Sequence, residues 1–261
     1  MAILFSGDFN ANANEELSTI TKKELILKYQ WYKFNDIKYH IILDDGGFMR
    51  HGDEKIDWFN YQALVRRPFP ILCVMGNHEP IYGMKNLSEK DIGIGETVYQ
   101  INDNPFTAYL KRGKIYTIEG IKFLVLGGAL SINKDKLIQN YSWWENEYWD
   151  EQEKRDLFKL LEKDNTFDLV ISHTGPKCIN DYLFKDSPSY YEKSFDEVAI
   201  LNDEIREKIK FSEWWCGHFH KDIICEDDVT GQIYQYLYKR TKLLEKADNK
   251  IILYNEYGMS R

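Results

Sequence analysis

Apolar runs of strand length recur along this chain, and one after another they end on a residue able to bind a cation or move a proton. Ala2–Ser6 leads to Asp8, Tyr39–Leu43 to Asp45, and Ile71–Met75 to Gly76-Asn77-His78-Glu79; Asp168–Ser172 leads to His173, and Glu213–Gly217 to His218-Phe219-His220. Short apolar runs alternating with helical patterns predict a layered α/β architecture. In such folds the carboxyl edge of a sheet gathers residues from distant segments into one site. Asp, Asn and His spread over separate strand ends are what a two-metal hydrolytic site needs, because a carboxylate between two divalent ions holds them a few Å apart.

Further strands are expected at Ile115–Ile118, Ile121–Leu126, Asp222–Cys225, Ile233–Tyr238 and Ile251–Tyr254. The two residues Glu119-Gly120 between β-rich runs predict a hairpin. Asp150-x-x-Glu153 supplies a cap and a returning side chain before Leu157, Phe158, Leu160 and Leu161, which predicts a helix. Ser194-x-x-Glu197 does the same before Val198, Leu201, Ile205 and Ile209, whose spacing makes one apolar face. A third helix is expected from Leu17 to Phe34. With no repeat, low-complexity tract or linker, one domain over residues 1–261 is expected. Tyr141, Trp143, Trp144, Tyr148 and Trp149 crowd a segment of little periodicity, which reads as rings capping a core edge or, alternatively, as a stacking wall for a base or sugar.

Composition narrows the function classes. Hydrophobic residues make up 43% and aromatics 15% of 261 residues, enough for a substantial core. Forty-two acids against 34 bases give a formal charge of -8, which disfavours charge-driven binding to nucleic acid. A phosphate-bearing substrate stays open, since bound cations would reverse the local sign. The cysteines Cys73, Cys178, Cys216 and Cys225 form no Cys-x-x-Cys pair, and three lie in apolar stretches, as reduced core thiols do. With no secretory leader pattern and no apolar run of membrane-spanning length, a cytoplasmic protein without membrane contact is expected.

Taken singly, the motifs are ambiguous. Asp8 and Asp45 could be turn or cap aspartates, and Asp45-Gly46-Gly47 is ordinary turn chemistry. In Gly76-Asn77-His78-Glu79 the Asn oxygen can ligate a metal without adding charge. His78, pointing elsewhere, is available for proton transfer, and Glu79 could orient that imidazole; a structural turn is the plain alternative. His218 and His220, two apart in an extended segment, would face the same side and reach one metal cluster. His40 reads as a surface residue at a strand entry. Lys239, Arg240 and Lys242 form a basic cluster that solvated surface would explain.

The ordered set Asp8, Asp45, Gly76-Asn77-His78-Glu79, His173 and Gly217-His218-Phe219-His220 resembles the calcineurin-like metallophosphoesterase superfamily. The resemblance runs from Leu4 to His220. Ile118-Glu119-Gly120-Ile121 and the Gly127-Gly128-Ala129 to Ser142-Trp143-Trp144 stretch are similar to small bacterial and phage members. It implies a four-layer α/β/β/α sandwich with two mixed β-sheets. It also implies one metal at Asp8, position 10, Asp45 and His220, and a second at Asp45, Asn77, His173 and His218, with Asp45 bridging. His78 would stabilise or protonate the leaving oxygen during in-line attack by a bridging hydroxide.

Two positions depart from the family pattern. Asn10 stands where Asp-x-His is expected, and Asp44 where a glycine is expected. Losing an imidazole hardens the first metal's site, favouring Mn²⁺ or Mg²⁺ over Zn²⁺ and weakening its occupancy; Mn²⁺ is the expected metal, with Mg²⁺, Fe or Zn²⁺ as alternatives. Asp44 is explained by a turn or by an added charge near the metals. Met75 before the Gly-Asn-His-Glu motif, and Arg50 one place out of register, argue against a protein phosphatase. Arg50 and His51 are candidates to contact a phosphate, or loop residues with no role. The expected activity is metal-dependent hydrolysis of a small phosphomonoester, phosphodiester or nucleotide. The rivals are a scaffold of the same fold with a decayed metal site, kept open by Asn10, and a nuclease, disfavoured by the acidic balance.

Overall fold

The N-terminal run Ala2-Ile3-Leu4-Phe5 is fully buried, as a strand covered on both faces must be. Alternate residues serve different cores: Ile3 and Phe5 face one apolar cluster, Ala2 and Leu4 another. The structure, a computed structural model of the chain, describes residues 1–8, 25, 36–44, 69–79, 86–104, 106–131, 136–139, 143–187, 195–248 and 250–254. The strands are β1 (Ala2–Asp8), β2 (Ile37–Asp44), β3 (Ile71–Cys73), β4 (Glu89–Lys90), β5 (Val98–Asp103), β6 (Phe106–Tyr109), β7 (Lys114–Ile118), β8 (Ile121–Val125), β9 (Thr166–Ile171), β10 (Lys210–Cys216), β11 (Ile223–Glu226), β12 (Ile233–Tyr236), β13 (Thr241–Ala247) and β14 (Lys250–Tyr254). The helices described in full are α1 (Glu151–Lys163), α2 (Lys177–Phe184) and α3 (Glu197–Arg206).

Two mixed sheets result, with orders β14-β13-β1-β2-β3-β6-β5-β4 and β11-β12-β10-β9-β8-β7. In the first, β1, β2, β3 and β6 run parallel; in the second, β8, β9, β10 and β12 do. The shared core lies between the sheets, where Phe5 meets Trp215 edge-on at 4.9 Å between ring centroids. On its far side the second sheet packs Leu124, Val170 and Trp214 against Leu157, Leu161, Val198 and Ile205 of α1 and α3. On the far side of the first, Leu25, a helical residue, joins Leu4, Ile42 and Ile71. This is the α/β/β/α sandwich.

Local chemistry explains the elements. At α1, Asp150 accepts from the Gln152 and Glu153 amides while the Glu153 carboxylate takes the Asp150 amide, a complete capping box. α3 is capped by Asp196, which accepts from Val198 N–H, two places after the cap expected at Ser194; Ser194 itself lies outside the described residues. Most of the helix expected over residues 17–34 lies outside them too. Glu119 (φ 51°) and Gly120 (φ 76°) make the β7–β8 turn, where both central residues need a left-handed backbone.

Two expectations about polar residues are corrected. His40 is no surface residue: it sits within β2, fully buried, with Nε2 2.8 Å from Ser6 Oγ and its ring edge-on to Phe69. Its strand lies between two others and is covered on both faces, so a polar ring there needs an internal partner. Lys242 is likewise buried, in β13 opposite Phe5, rather than part of a solvated cluster. The neighbouring turn is organised by Asp222, whose carboxylate accepts the amides of Tyr238, Lys239 and Arg240. Trp144 and Trp149 are buried, and Trp149 Nε1–H donates to Gly127 O at 2.8 Å; these two rings close a core edge.

Candidate metal centre

The parallel strands deliver their following residues to one end of the two sheets. β3 runs into Asn77 and His78, β9 into His173, β10 into His218 and His220, and β8 into the segment ending at Ser131. Asp8 closes β1 opposite Asp44, the last residue of β2. Strand position is what is described for Asp8 and Asp44; Asn10, Asp45, Arg50 and His51 lie outside the described residues.

Three side chains converge. His173 Nε2 lies 2.5 Å from Asn77 Oδ1 and 3.0 Å from His218 Nδ1, and the two imidazoles cross at 64°. Asn77, His173 and His218 are all buried. An amide oxygen and two imidazole nitrogens gathered so tightly out of water form a donor set suited to a divalent transition metal. Among the described residues no three His, Cys, Asp or Glu side chains form such a group; the third donor here is an asparagine.

Each donor is held by its own scaffold. The Asn77 turn is clamped by buried Glu79, whose two oxygens accept from Gly76 N–H and Tyr109 O–H, both at 2.8 Å. Glu79 therefore braces the loop. His173 sits on backbone tied in several places. The Ser172 amide donates to Trp215 O, Gly217 N–H to His173 O, and the Asn202 side chain of α3 to Thr174 O. Gly175 must lack a side chain, since a Cβ there would overlap the Tyr236 hydroxyl.

The Gly217–His220 segment is not extended, contrary to expectation. His218 (φ 67°) and His220 (φ 51°) are both left-handed, and Phe219 N–H donates to Gly217 O, so the chain turns sharply. The turn follows from packing: Phe219 is drawn down to stack on Phe184 of α2 at 4.2 Å. His218 points at His173, while the exposed His220 stacks on Tyr238 at 5.0 Å. Gly7 is in close contact with the Leu237 carbonyl, leaving no room for a Cβ. That contact sets the end of β1 beside the strand exit carrying Tyr238. His78 is partly exposed on the Asn77 turn.

Ser131 was not legible as part of this site. Its Oγ accepts from Asn77 Nδ2 at 2.8 Å across 54 positions of sequence, and nothing in a lone serine after a strand announces that.

The sequence model of the calcineurin-like phosphoesterase family matches residues 1–222, and the chain belongs to that family. The family's chemistry is dinuclear and metal-dependent, directed at phosphoric esters. No curated protein matches the chain significantly. Among solved structures, the phosphopantetheinyl hydrolase of Mycobacterium tuberculosis is similar over 91% of this chain and 89% of its own, with 12% identity and a TM-score of 0.50. The Plasmodium protein GAP50, described as the anchor in the inner membrane complex, is similar over 97% of this chain and 83% of its own, with 10% identity and a TM-score of 0.50. At such identities the likeness concerns the fold alone. No helix among the described residues is long and apolar enough to cross a membrane.

Proposed function

We propose that this chain hydrolyses a small phosphate ester, a phosphomonoester, phosphodiester or nucleotide, at a two-metal centre in the cytoplasm, acting as one domain. The observation that carries the reading is the convergence of Asn77 Oδ1, His173 Nε2 and His218 Nδ1 at the carboxyl edges of strands from both sheets. Asn77, His173 and His218 would hold one ion with Asp45. Asp8, Asn10, Asp45 and His220 would hold the other, less tightly because Asn10 offers an amide where an imidazole is the family's ligand. Bound there, divalent ions supply Lewis acidity toward phosphoryl oxygens and a nucleophile at neutral pH. Three oxygen donors, one imidazole and no thiolate at the Asp8 ion suit Mn²⁺.

The chain's own residues do the rest. His78, next to a ligand yet partly exposed, delivers a proton to the leaving oxygen. Arg50 and His51, just after the second ligand segment, are assigned to contacts with the phosphate. Burial of Asn77, His173 and His218 removes competing water, which strengthens their hold on a cation.

The test is turnover of an aryl phosphate monoester and diester by metal-stripped protein with and without Mn²⁺. Hydrolysis restored by Mn²⁺ is expected. His78→Ala should cut turnover roughly 10²–10⁴-fold with metal content nearly unchanged; metals stripped by that substitution would contradict the role. Asn10 supports a second reading, a non-catalytic scaffold, and GAP50 is a protein of this fold described as an anchor. No Mn²⁺ uptake and no turnover would favour it. A nuclease is disfavoured by the charge of -8.

A further inference from the structure

Asn77 is the one donor of the cluster with two nearly isosteric ends. Turned about its last bond, the amide would present N–H groups where a cation needs a lone pair. With Oδ1 facing His173, the other end needs a buried acceptor. Asn77 Nδ2 donates to Ser131 Oγ at 2.8 Å, leaving Oδ1 toward His173 and His218.

Ser131 is itself fixed from behind. It is buried, and its own N–H donates to Oε1 of Glu147, a fully buried carboxylate, at 3.2 Å. The backbone after Glu147 is held by Arg112, which donates to Tyr148 O at 2.9 Å and pairs with Glu153 at 2.6 Å. Gly128 threads this strap through a narrow gap. Its N–H donates to Met75 O, its φ is 87°, and a Cβ would overlap the Glu147 carbonyl. The segment from Gly127 to Ser131 thus links the Asn77 loop to the turn at Glu147.

We propose that Ser131 is a positioning residue that holds the Asn77 amide beside His173 and His218 by giving its Nδ2–H a buried acceptor, with Glu147 holding Ser131 in register. The inference rests on Asn77 being a metal ligand. Ser131 does not touch the cation or the substrate; it acts by anchoring the end of the Asn77 amide that faces away from them.

The experiment is Mn²⁺ titration by calorimetry into the full, metal-stripped chain, with metal-free Tm measured in parallel. Ser131→Ala should bind Mn²⁺ about 10-fold more weakly or worse, with metal-free Tm little changed, and Ser131→Thr, which keeps the hydroxyl, should restore binding. Wild-type affinity in Ser131→Ala overturns the inference while leaving the metal site standing. So does a loss of binding that Ser131→Thr fails to restore and that tracks a fall in metal-free Tm. A wild-type chain that takes up no Mn²⁺ overturns the proposed function, and this inference with it.

Discussion

Two loops present metal-type donors to the same spot, and they are built by opposite means. The Gly76–Glu79 loop is held by side chains: Glu79 accepts from Gly76 N–H and Tyr109 O–H, and Ser131 takes the Asn77 amide. The Gly217–His220 loop is held by its backbone, with His218 and His220 in left-handed conformations, Phe219 packed on Phe184, and His220 laid on Tyr238. One loop owes its shape to hydrogen-bond partners supplied from elsewhere in the fold. The other carries strain that its ring contacts offset. Substitutions should therefore have different signatures in the two.

The largest effect is expected at Glu79. Glu79→Ala removes two buried hydrogen bonds and opens a cavity, and should destabilise the metal-free protein by roughly 3 kcal/mol in urea unfolding. A change within error would mean that the loop does not depend on its clamp. Next is Asp196, which joins α3 to the segment carrying Ser131. It caps α3, whose Asn202 ties down Thr174, and it also accepts from the Leu130 amide beside Ser131. Burial pushes its carboxyl up from 3.8 to about 6, opposed by its backbone hydrogen bonds and aided by Glu147. A carboxyl raised on folding binds its proton more tightly in the folded state. Its contribution to stability is thus complete below 3.8 and lost as pH rises through about 6. Asp196→Asn, which keeps a capping acceptor, should remove that slope, a difference on the order of 2 kcal/mol across the window. Parallel pH profiles for wild type and variant would refute it.

The smallest effect sharpens the comparison most. At His218 the backbone is left-handed, so His218→Gly should be more stable than His218→Ala by about 1 kcal/mol. At Asn77, which is not among the left-handed positions, the order should reverse, with Asn77→Ala more stable than Asn77→Gly. The same sign at both positions would remove the distinction between the loops.

What was legible followed the same divide. Strands buried on both faces and the Asp150–Glu153 capping box write their requirements locally, and the structure has them where the residues place them. So does the Glu119-Gly120 turn. The antiparallel additions β4, β5 and β13 were not legible, because Glu89-Lys90, Val98–Asp103 and Thr241–Ala247 mix charged and apolar residues without clean alternation. Burial of His40 and Lys242 depends on neighbours far away in sequence. Spacing two apart suggested that His218 and His220 share a face. It could not show that Phe219 would draw the chain into a turn. Asn77, His173 and His218 were readable as candidates from their residue types at strand exits, whereas Ser131 and the bracing use of Glu79 are products of tertiary contact.

The most direct measurement is an anomalous-scattering map from crystals of the full chain grown with Mn²⁺. The account predicts a peak coordinated by Asn77 Oδ1 and both His173 and His218, joined by Asp45, with a weaker second peak near Asp8 and His220. A map with no peak at Asn77, His173 and His218, or with ions bound only elsewhere, would contradict it.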